Sequence, residues 1–502
     1  MPESSLKRRY LIKLLASFVS GVVSILLIAI VPKALGPIFY GQFSYLQQFF
    51  TKVIGFLDAG SSIAFFTKLS ARPKRKELIT FYFLYGVFIL AILVLFFYSI
   101  RGAGYMHLLL PNIDDRYIFL AIGFSFLTWA TQVLIKVSDA NALTVSVELI
   151  KIMHKISMLF LLLYLVKLSF FDLTVFFYFH YISLTSFIFF IVIFFYKRKI
   201  LTGLLQVLKI DYKSISLEFI SFCSPLLIYS VCGLCVGLFD IWLLQTQYGA
   251  TQTGYYGLSY SIAAMCFIFT GAMTPVITRE FSKSFEEGDI EEMGILFKRY
   301  VPMLYSLAAF FCVFISIQSE NVLAIFTDEK FSDAFYVLVV IAFYPIHQTY
   351  GQLSGSIFYA TGQTKLYRNI GFVSMTIGVV LTGVLVYILN LGAVGLALKM
   401  IIIQFIGVNI QLYYNAKFLK LNFRYFIRHQ IYAIVFFLIP SLISAYLVSK
   451  IEGSIYSFLV AGSIYIILVL IQTMAFPQVF TFTRVELHRC FHQVGVKLKI
   501  IA

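Results

Sequence analysis

Gly36-Pro-Ile-Phe-Tyr-Gly41-Gln-Phe43 follows the first long apolar segment of the chain, and Gly249-Ala-Thr-Gln-Thr-Gly254-Tyr-Tyr256 follows the seventh. Each reads Gly-x4-Gly-x-aromatic, and each leads into another apolar segment. One copy is unremarkable in a chain with 30 glycines. Two copies at corresponding points of a hydrophobic series imply that one bundle of helices was duplicated, a plan common among membrane transporters. A phosphate-binding loop has similar spacing, but Gln42 and Tyr255 stand where that loop needs Lys, and no strand precedes either copy. Gly36, Gly41, Gly249 and Gly254 are therefore expected to be outer-surface turns, where short connections between spans need glycine backbone.

Working outward, the 502 residues are 60% apolar and only 12% charged, with a mean hydropathy of +0.91. A soluble domain carries about 25% charged residues. The apolar stretches have the length of membrane-crossing helices and show no strand alternation. They fall at 11–31, 41–67, 78–100, 117–138, 144–166, 172–195, 219–246, 255–278, 300–318, 335–359, 369–390, 394–414, 431–449 and 455–476. The expected fold is an all-α integral membrane protein of about fourteen transmembrane helices. Residues 1–213 form an N-lobe of spans 1–6 with a cytoplasmic linker, 214–429 a C-lobe of spans 7–12, and 430–502 two extra spans and a basic tail. Six is even, so the two six-helix repeats start on the same side and are parallel, with a central cavity between the lobes. The linker from Lys197 to Leu217 mixes basic and apolar residues in the manner of a helix lying at the membrane surface.

The net charge of +16 is a topology signal. Six basic residues (Lys33, Arg101, Arg116, Lys167, Lys330 and Lys450) fall on one face. The opposite connections hold most of the rest, including Lys7, Arg8, Arg9, Arg72, Lys74, Arg75, Lys76, Lys136 and Lys197. By the positive-inside rule both termini are cytoplasmic. Lys7 to Arg9 before an apolar run also resemble a signal peptide, but the run is long and lacks a small-residue cleavage site, so it reads as an uncleaved first span. Nucleic acid is not implied as a partner. Cys232-Gly-Leu-Cys235 has redox-motif spacing but lies mid-span without polar neighbours, where Cys acts as a small hydrophobe. His488-Arg-Cys490-Phe-His492 lacks an evident fourth ligand and reads as a basic interfacial tail, so no metal is expected. No nucleotide-binding loop is present, and no cofactor is expected.

Five stretches resemble one known family. Val31-Pro32-Lys33-Ala34-Leu35-Gly36 through Phe43 is similar to the signature after the first span of polysaccharide exporters. Phe56-Leu57-Asp58-Ala59-Gly60 resembles that family's second-span Asp-x-Gly. Asp240-Ile-Trp-Leu-Leu with Gly254-Tyr-Tyr256, then Glu286-Glu287-Gly288-Asp289, then Leu391 to Ala397 follow in family order. The family is the O-antigen/polysaccharide flippase branch of the multidrug/oligosaccharidyl-lipid/polysaccharide (MOP) exporter superfamily. The resemblance implies a non-enzymatic transporter of the bacterial cell inner membrane. It would move an undecaprenyl-diphosphate-linked oligosaccharide, O-antigen or a similar repeat unit, from the cytoplasmic to the periplasmic leaflet by alternating access. Polysaccharide polymerase and chain-length machinery are then possible partners beside lipid. Lipid II flippases share the fourteen-span plan, but the arginine-rich first two spans associated with them are not seen here. A multidrug or cation antiporter of the same superfamily is the other alternative, although those have twelve spans. A membrane-embedded glycosyltransferase would need a longer external loop than 101–116 or 319–334.

A diphosphate headgroup cannot cross about 30 Å of hydrocarbon unaided, so ionisable residues deep in spans are the site candidates. Lys52, near the middle of span 2, is the candidate diphosphate-binding cation, and Lys399 in span 12 a second substrate-guiding one. Asp58 and Asp240 are read either as structural charges or as groups that carry a coupling proton or sodium ion. His180 and His347 titrate in the right range for coupling, with a neutral hydrogen-bonded core histidine as the alternative. Pro225, Pro275 and Pro345 are candidate hinges. Gly233-x3-Gly237 and Gly351-x3-Gly355 suit close helix packing.

Overall fold

The computed structural model describes residues 6–58, 60–71, 75–141, 143–167, 171–201 and 211–486. The expected tail motif His488 to His492 and most of the expected surface helix, at 202–210, lie outside these residues. The chain divides into two compact units, Met1–Gly257 and Leu258–Ala502.

In the first unit the helices are α1 (Leu6–Asp58), α2 (Ser61–Ala71), α3 (Glu77–Gly102), α4 (Met106–Leu109), α5 (Asp115–Ala140), α6 (Thr144–Lys167), α7 (Leu173–Lys197) and the larger part of α8 (Tyr212–Ala264). The second holds α9 (Phe267–Glu286), α10 (Ile290–Ile317), α11 (Ser319–Phe326), α12 (Ala334–Ile341), α13 (Tyr344–Ala360), α14 (Thr364–Thr382), α15 (Gly392–Phe418), α16 (Phe423–Val448) and α17 (Ser454–Ala475). All fourteen expected spans are helical. Spans 1 and 2 share α1, spans 7 and 8 share α8, and span 10 is the broken pair α12–α13. Span 11 is α14 continued by a π-helical turn, Gly383–Ile388. Among the described residues, eleven helical runs have the length and composition to cross a membrane.

The duplicated motifs explain why two spans share one helix. Gly36 bends α1 with φ 73° and ψ 168°, and Gly249 bends α8 with φ 74° and ψ −176°. This region of backbone space is essentially restricted to glycine. The two copies therefore have the same local conformation as well as the same sequence pattern. The expectation of four turn glycines is corrected here. Gly36 and Gly249 redirect the helix in one step, so no loop is needed, and Gly41 and Gly254 lie beyond the bend as packing residues. A Cβ on Gly41 would overlap the carbonyl oxygen of Ala250. One on Gly254 would sit 2.6 Å from the Pro37 oxygen and 3.2 Å from Gly41 Cα. One on Gly257 would overlap Ser44 Oγ.

With Gly36 aligned on Gly249, Pro37 corresponds to Ala250, Gly41 to Gly254 and Ser44 to Gly257. Each copy thus meets the other at equivalent positions. Because Gly36 has open space around it, Gly36→Ala strains only the backbone, by about 1–3 kcal/mol. Gly41→Val must force two helix backbones apart. Gly41→Val is expected to lower the thermal midpoint of detergent-solubilised protein more than Gly36→Ala, read by fluorescence-detected size exclusion.

Pro345 is placed at the start of α13, just after the break at Ala342–Phe343. Its missing N–H and fixed φ suit the first helical turn, so span 10 breaks before this proline rather than bending at it. Pro225 and Pro275 lie inside α8 and α9.

Aromatic stacking carries much of the core. In the first unit Phe65 and Tyr82 stack with centroids 4.4 Å apart and planes at 5°, surrounded by Phe187, Ile191, Phe195 and Phe219. In the second unit α10 is the central helix, with Phe297, Val301, Leu304 and Tyr305 fully buried. Phe83, Phe96, Tyr446 and Tyr456 are exposed, as expected of side chains that face lipid or its interface.

Candidate functional site

The polar interior of the first unit begins where span 2 breaks. Gly60 adopts φ 81°, ending the helix after Asp58 and letting Ser61 start α2. The break leaves the Leu57 carbonyl outside the helical ladder, and the Tyr85 hydroxyl donates to it at 2.6 Å. The buried Asp58 carboxylate accepts from Tyr82 Oη at 2.8 Å, Trp129 Nε1 at 3.2 Å and Ser61 Oγ at 3.1 Å. It also accepts from the Ser62 backbone N–H at 3.2 Å and Ser62 Oγ at 2.8 Å. Lys136 Nζ in turn donates to Ser62 Oγ at 2.6 Å. Donors from α2, α3 and α5 thus converge on one carboxylate, with a cation one hydroxyl away. Asp58, Ser61, Tyr85 and Cys223 line a cavity of about 440 Å³.

Lys52 is half-buried on α1, and its ammonium donates to the Gly237 carbonyl at 2.6 Å. A Cβ on Gly237 would lie 3.2 Å from Lys52 Cε, so the glycine makes room for the lysine stem. Asp240 on the same α8 limb is buried.

A second set of charges was not singled out from the sequence. On α6, Glu148, Lys151 and Lys155 share one face at i, i+3 and i+7. Glu148 is buried and pairs with Lys151 at 3.1 Å. Lys155 has no carboxylate within ion-pair distance among the described residues. His154 faces away, with Nε2 2.9 Å from Ser186 Oγ on α7. The available signal was the Glu-x2-Lys-x3-Lys spacing inside an apolar span. For Lys136 the signal was its place within α5, short of the helix end.

Other candidates separate from these clusters. His180 is enclosed by aromatic rings, parallel to Phe43 at 5.5 Å and within 4.7 Å of Phe124 and 4.5 Å of Phe176. Phe43 is the aromatic of the first Gly-x4-Gly motif. His347, in the second unit, packs on Phe405 at 5.2 Å and Tyr305 at 5.9 Å. His180 Nε2 and His347 Nδ1 have no hydrogen-bond partner among the described residues. Lys399 is also in the second unit, buried on α15, with its Cε 3.3 Å from where a Gly378 Cβ would be. Within the first unit the structure groups Asp58, Ser62 and Lys136 directly. Gly351 and Gly355 permit close approach of Gln404 and of the Tyr367 ring.

In the connection after α2, outside the spans, Arg75 holds Glu77 at 2.6 Å and Glu218 at 3.0 Å. Lys68 reaches Glu218 at 2.7 Å. The hydrogen bond that Arg75 donates to Glu77, and after it the contacts with Glu218, raise the guanidinium above its ordinary value.

This arrangement of bent, bundled helices is a fold seen in solved structures of membrane flippases and transporters. The structure resembles the lipid II flippase MurJ in an inward closed conformation, with a TM-score of 0.66 over 92% of this chain and 98% of that one at 14% identity. It also resembles the MATE transporter VcmN of Vibrio cholerae, at 0.57 over 83% and 98% with 13% identity. A multidrug resistance MATE family transporter in an inward-facing conformation gives 0.52 over 83% and 95% at 14% identity. In sequence the chain is similar to the probable low-salt glycan biosynthesis flippase Agl15 of Haloferax volcanii, 25% identical over 194 residues. That match spans 38% of this chain and 39% of the relative. No protein-family model matches.

Proposed function

We propose that the protein is a flippase for a lipid-linked oligosaccharide. Its substrate is an undecaprenyl-diphosphate-linked repeat unit of O-antigen type, delivered from the cytoplasmic to the periplasmic leaflet of a bacterial inner membrane. The observation that carries this reading is the set of cations within the helices of the first unit: Lys52, Lys136, Lys151 and Lys155. A cation inside a span is costly and marks a functional path by default. A diphosphate is the anion in this chemistry that needs several of them at once. The MOP fold and the glycan flippase similarity support the same reading. Transport requires no covalent step, and it is driven by a proton, a sodium ion or the substrate gradient.

The test is translocation of the lipid-linked unit in a deletion strain complemented with this gene. Wild type is expected to restore surface glycan, and Lys52→Ala to reduce delivery at least tenfold, one charge-assisted hydrogen bond of about 1.5–3 kcal/mol being lost. Restoration by Lys52→Ala at the wild-type level sinks the assignment of Lys52. Failure of the wild type itself sinks the flippase reading. Asp58 favours a second reading, a drug or cation antiporter, because a buried carboxylate suits a coupling ion. Drug efflux without glycan rescue selects it.

A further inference from the structure

A second polar cavity lies wholly in the second unit, at the feet of α10 and α16 and against the segment that follows α17. It has a volume of about 710 Å³ and is lined by Lys298, Arg299, Arg428, Tyr425, His429 and Glu486 among others. Arg299 is neutralised by Glu486 at 3.0 Å. The Thr483 backbone N–H and hydroxyl, with Arg299, hold the Glu486 carboxyl below its ordinary range, so this pair stays closed near neutral pH. Lys298 and Arg428 have no acidic partner among the described residues. Lys298 instead sits 5.7 Å from the Tyr425 ring, which holds the two helix feet together and aims a cation at the cavity. At the inner wall His429 Nε2 lies 3.0 Å from the Val479 carbonyl. That bond requires Nε2 to carry the proton, and Nδ1, an acceptor, has no partner among the described residues.

Above this basic pocket the outer face of α16 presents Ile431, Val435, Ile439 and Leu442, all exposed and spaced along one side of the helix. Charge balance alone would suit free phosphate. The apolar strip continuous with the pocket suits an amphiphile whose chains lie in hydrocarbon. The positive-inside bias puts this pocket on the cytoplasmic face, where anionic lipid headgroups are concentrated.

We propose that this pocket binds the phosphate headgroup of an anionic phospholipid from the surrounding leaflet, held by Lys298 and Arg428 with its chains along α16. The site is separate from the charges of α1, α5 and α6, and its occupant is not transported.

The test is native mass spectrometry of the full chain released from nanodiscs of phosphatidylglycerol, of phosphatidylcholine, and of phosphatidylcholine with inorganic phosphate. Wild type is expected to retain phosphatidylglycerol selectively, and Lys298→Gln/Arg428→Gln to lose roughly thirtyfold in retention. Lys365→Gln/Arg368→Gln, also basic and exposed, is the control expected to retain it. Retention on wild type alone should also weaken on addition of about 0.5 M salt, which keeps the test decisive if a variant is poorly folded. Equal retention of the two lipids, or of phosphatidylglycerol by wild type and the Lys298/Arg428 variant, overturns the proposal. Binding of inorganic phosphate without phosphatidylglycerol overturns the lipid assignment. Glycan delivery is not the readout, so failure here leaves the flippase reading standing.

Discussion

Replacing Lys151 and Lys155 together by Gln is expected to abolish delivery of the lipid-linked oligosaccharide, with a loss of at least a hundredfold in a proteoliposome translocation assay. Each lysine supplies a charge-assisted hydrogen bond to phosphate worth about 1.5–3 kcal/mol, and two such losses combine to at least that factor. The two side chains differ in what else they do. Lys155 has no carboxylate to lose, so Lys155→Gln alone is expected to reduce transport at least tenfold and leave folding intact. Lys151 pairs with buried Glu148, so Lys151→Gln also strands a buried carboxylate, a change that costs about 3–5 kcal/mol. Adding Glu148→Gln to that variant should restore stability without restoring transport. Lys155→Arg, which keeps the charge, is expected to retain most activity. Transport by the double variant at the wild-type rate removes α6 from the substrate path.

Asp58→Ala is expected to be the most destabilising single substitution in the first unit. It strands the Trp129 indole N–H, a donor worth about 1–3 kcal/mol when unpaired, leaves the Tyr82 hydroxyl with Ser61 Oγ alone at 2.8 Å, and removes the anion next to Lys136. A fall in apparent thermal midpoint on the order of 10 °C should follow. Asp58→Asn keeps the shape and one acceptor oxygen and is expected to lose less than half as much. The comparison of transport in the two variants separates the roles of this residue. If Asp58→Asn is stable and translocates normally, Asp58 is a fold anchor. If it is stable and inactive, the charge itself is used in transport. A melting curve for Asp58→Ala that matches wild type contradicts the geometry of the cluster.

Much of this architecture is legible in the sequence because a membrane leaves few options. Every span from 11–31 to 455–476 can be read from apolar length, and Asp58 and Lys52 stand out because ionisable residues in hydrocarbon need a reason. The α6 cations were harder to see. Span 5 lies in a crowded polar stretch, and its inner half reads equally well as a solvated end until Glu148 is found buried. Lys136 was assigned to the cytoplasmic connections by position along the chain, and only the Asp58–Ser62 turn, folded back against α5, draws it inward. The function of the second motif glycines was not legible either. A glycine that turns and one that packs look identical in sequence, and the partner of Gly41 is more than two hundred residues away. For Lys399 the sequence gives its place in a span, and that place alone does not reveal whether a side chain faces a path or a neighbouring helix.

The meeting of Gly41 with Ala250 and of Gly254 with Pro37 has a consequence for ancestry. Equivalent positions touching each other reciprocally are the mark of an isologous contact. Before the halves were fused, this surface would have joined two copies of one shorter protein. A mutation at its second glycine would then have damaged both sides of the contact at once. Fusion freed the two copies to drift apart, and Pro37 now corresponds to Ala250. Gln42 and Phe43 now correspond to Tyr255 and Tyr256, and Ser44 meets a glycine rather than another serine. The inherited glycines are the fossil of a dimer, and the asymmetry around them is what a single fused chain was able to acquire.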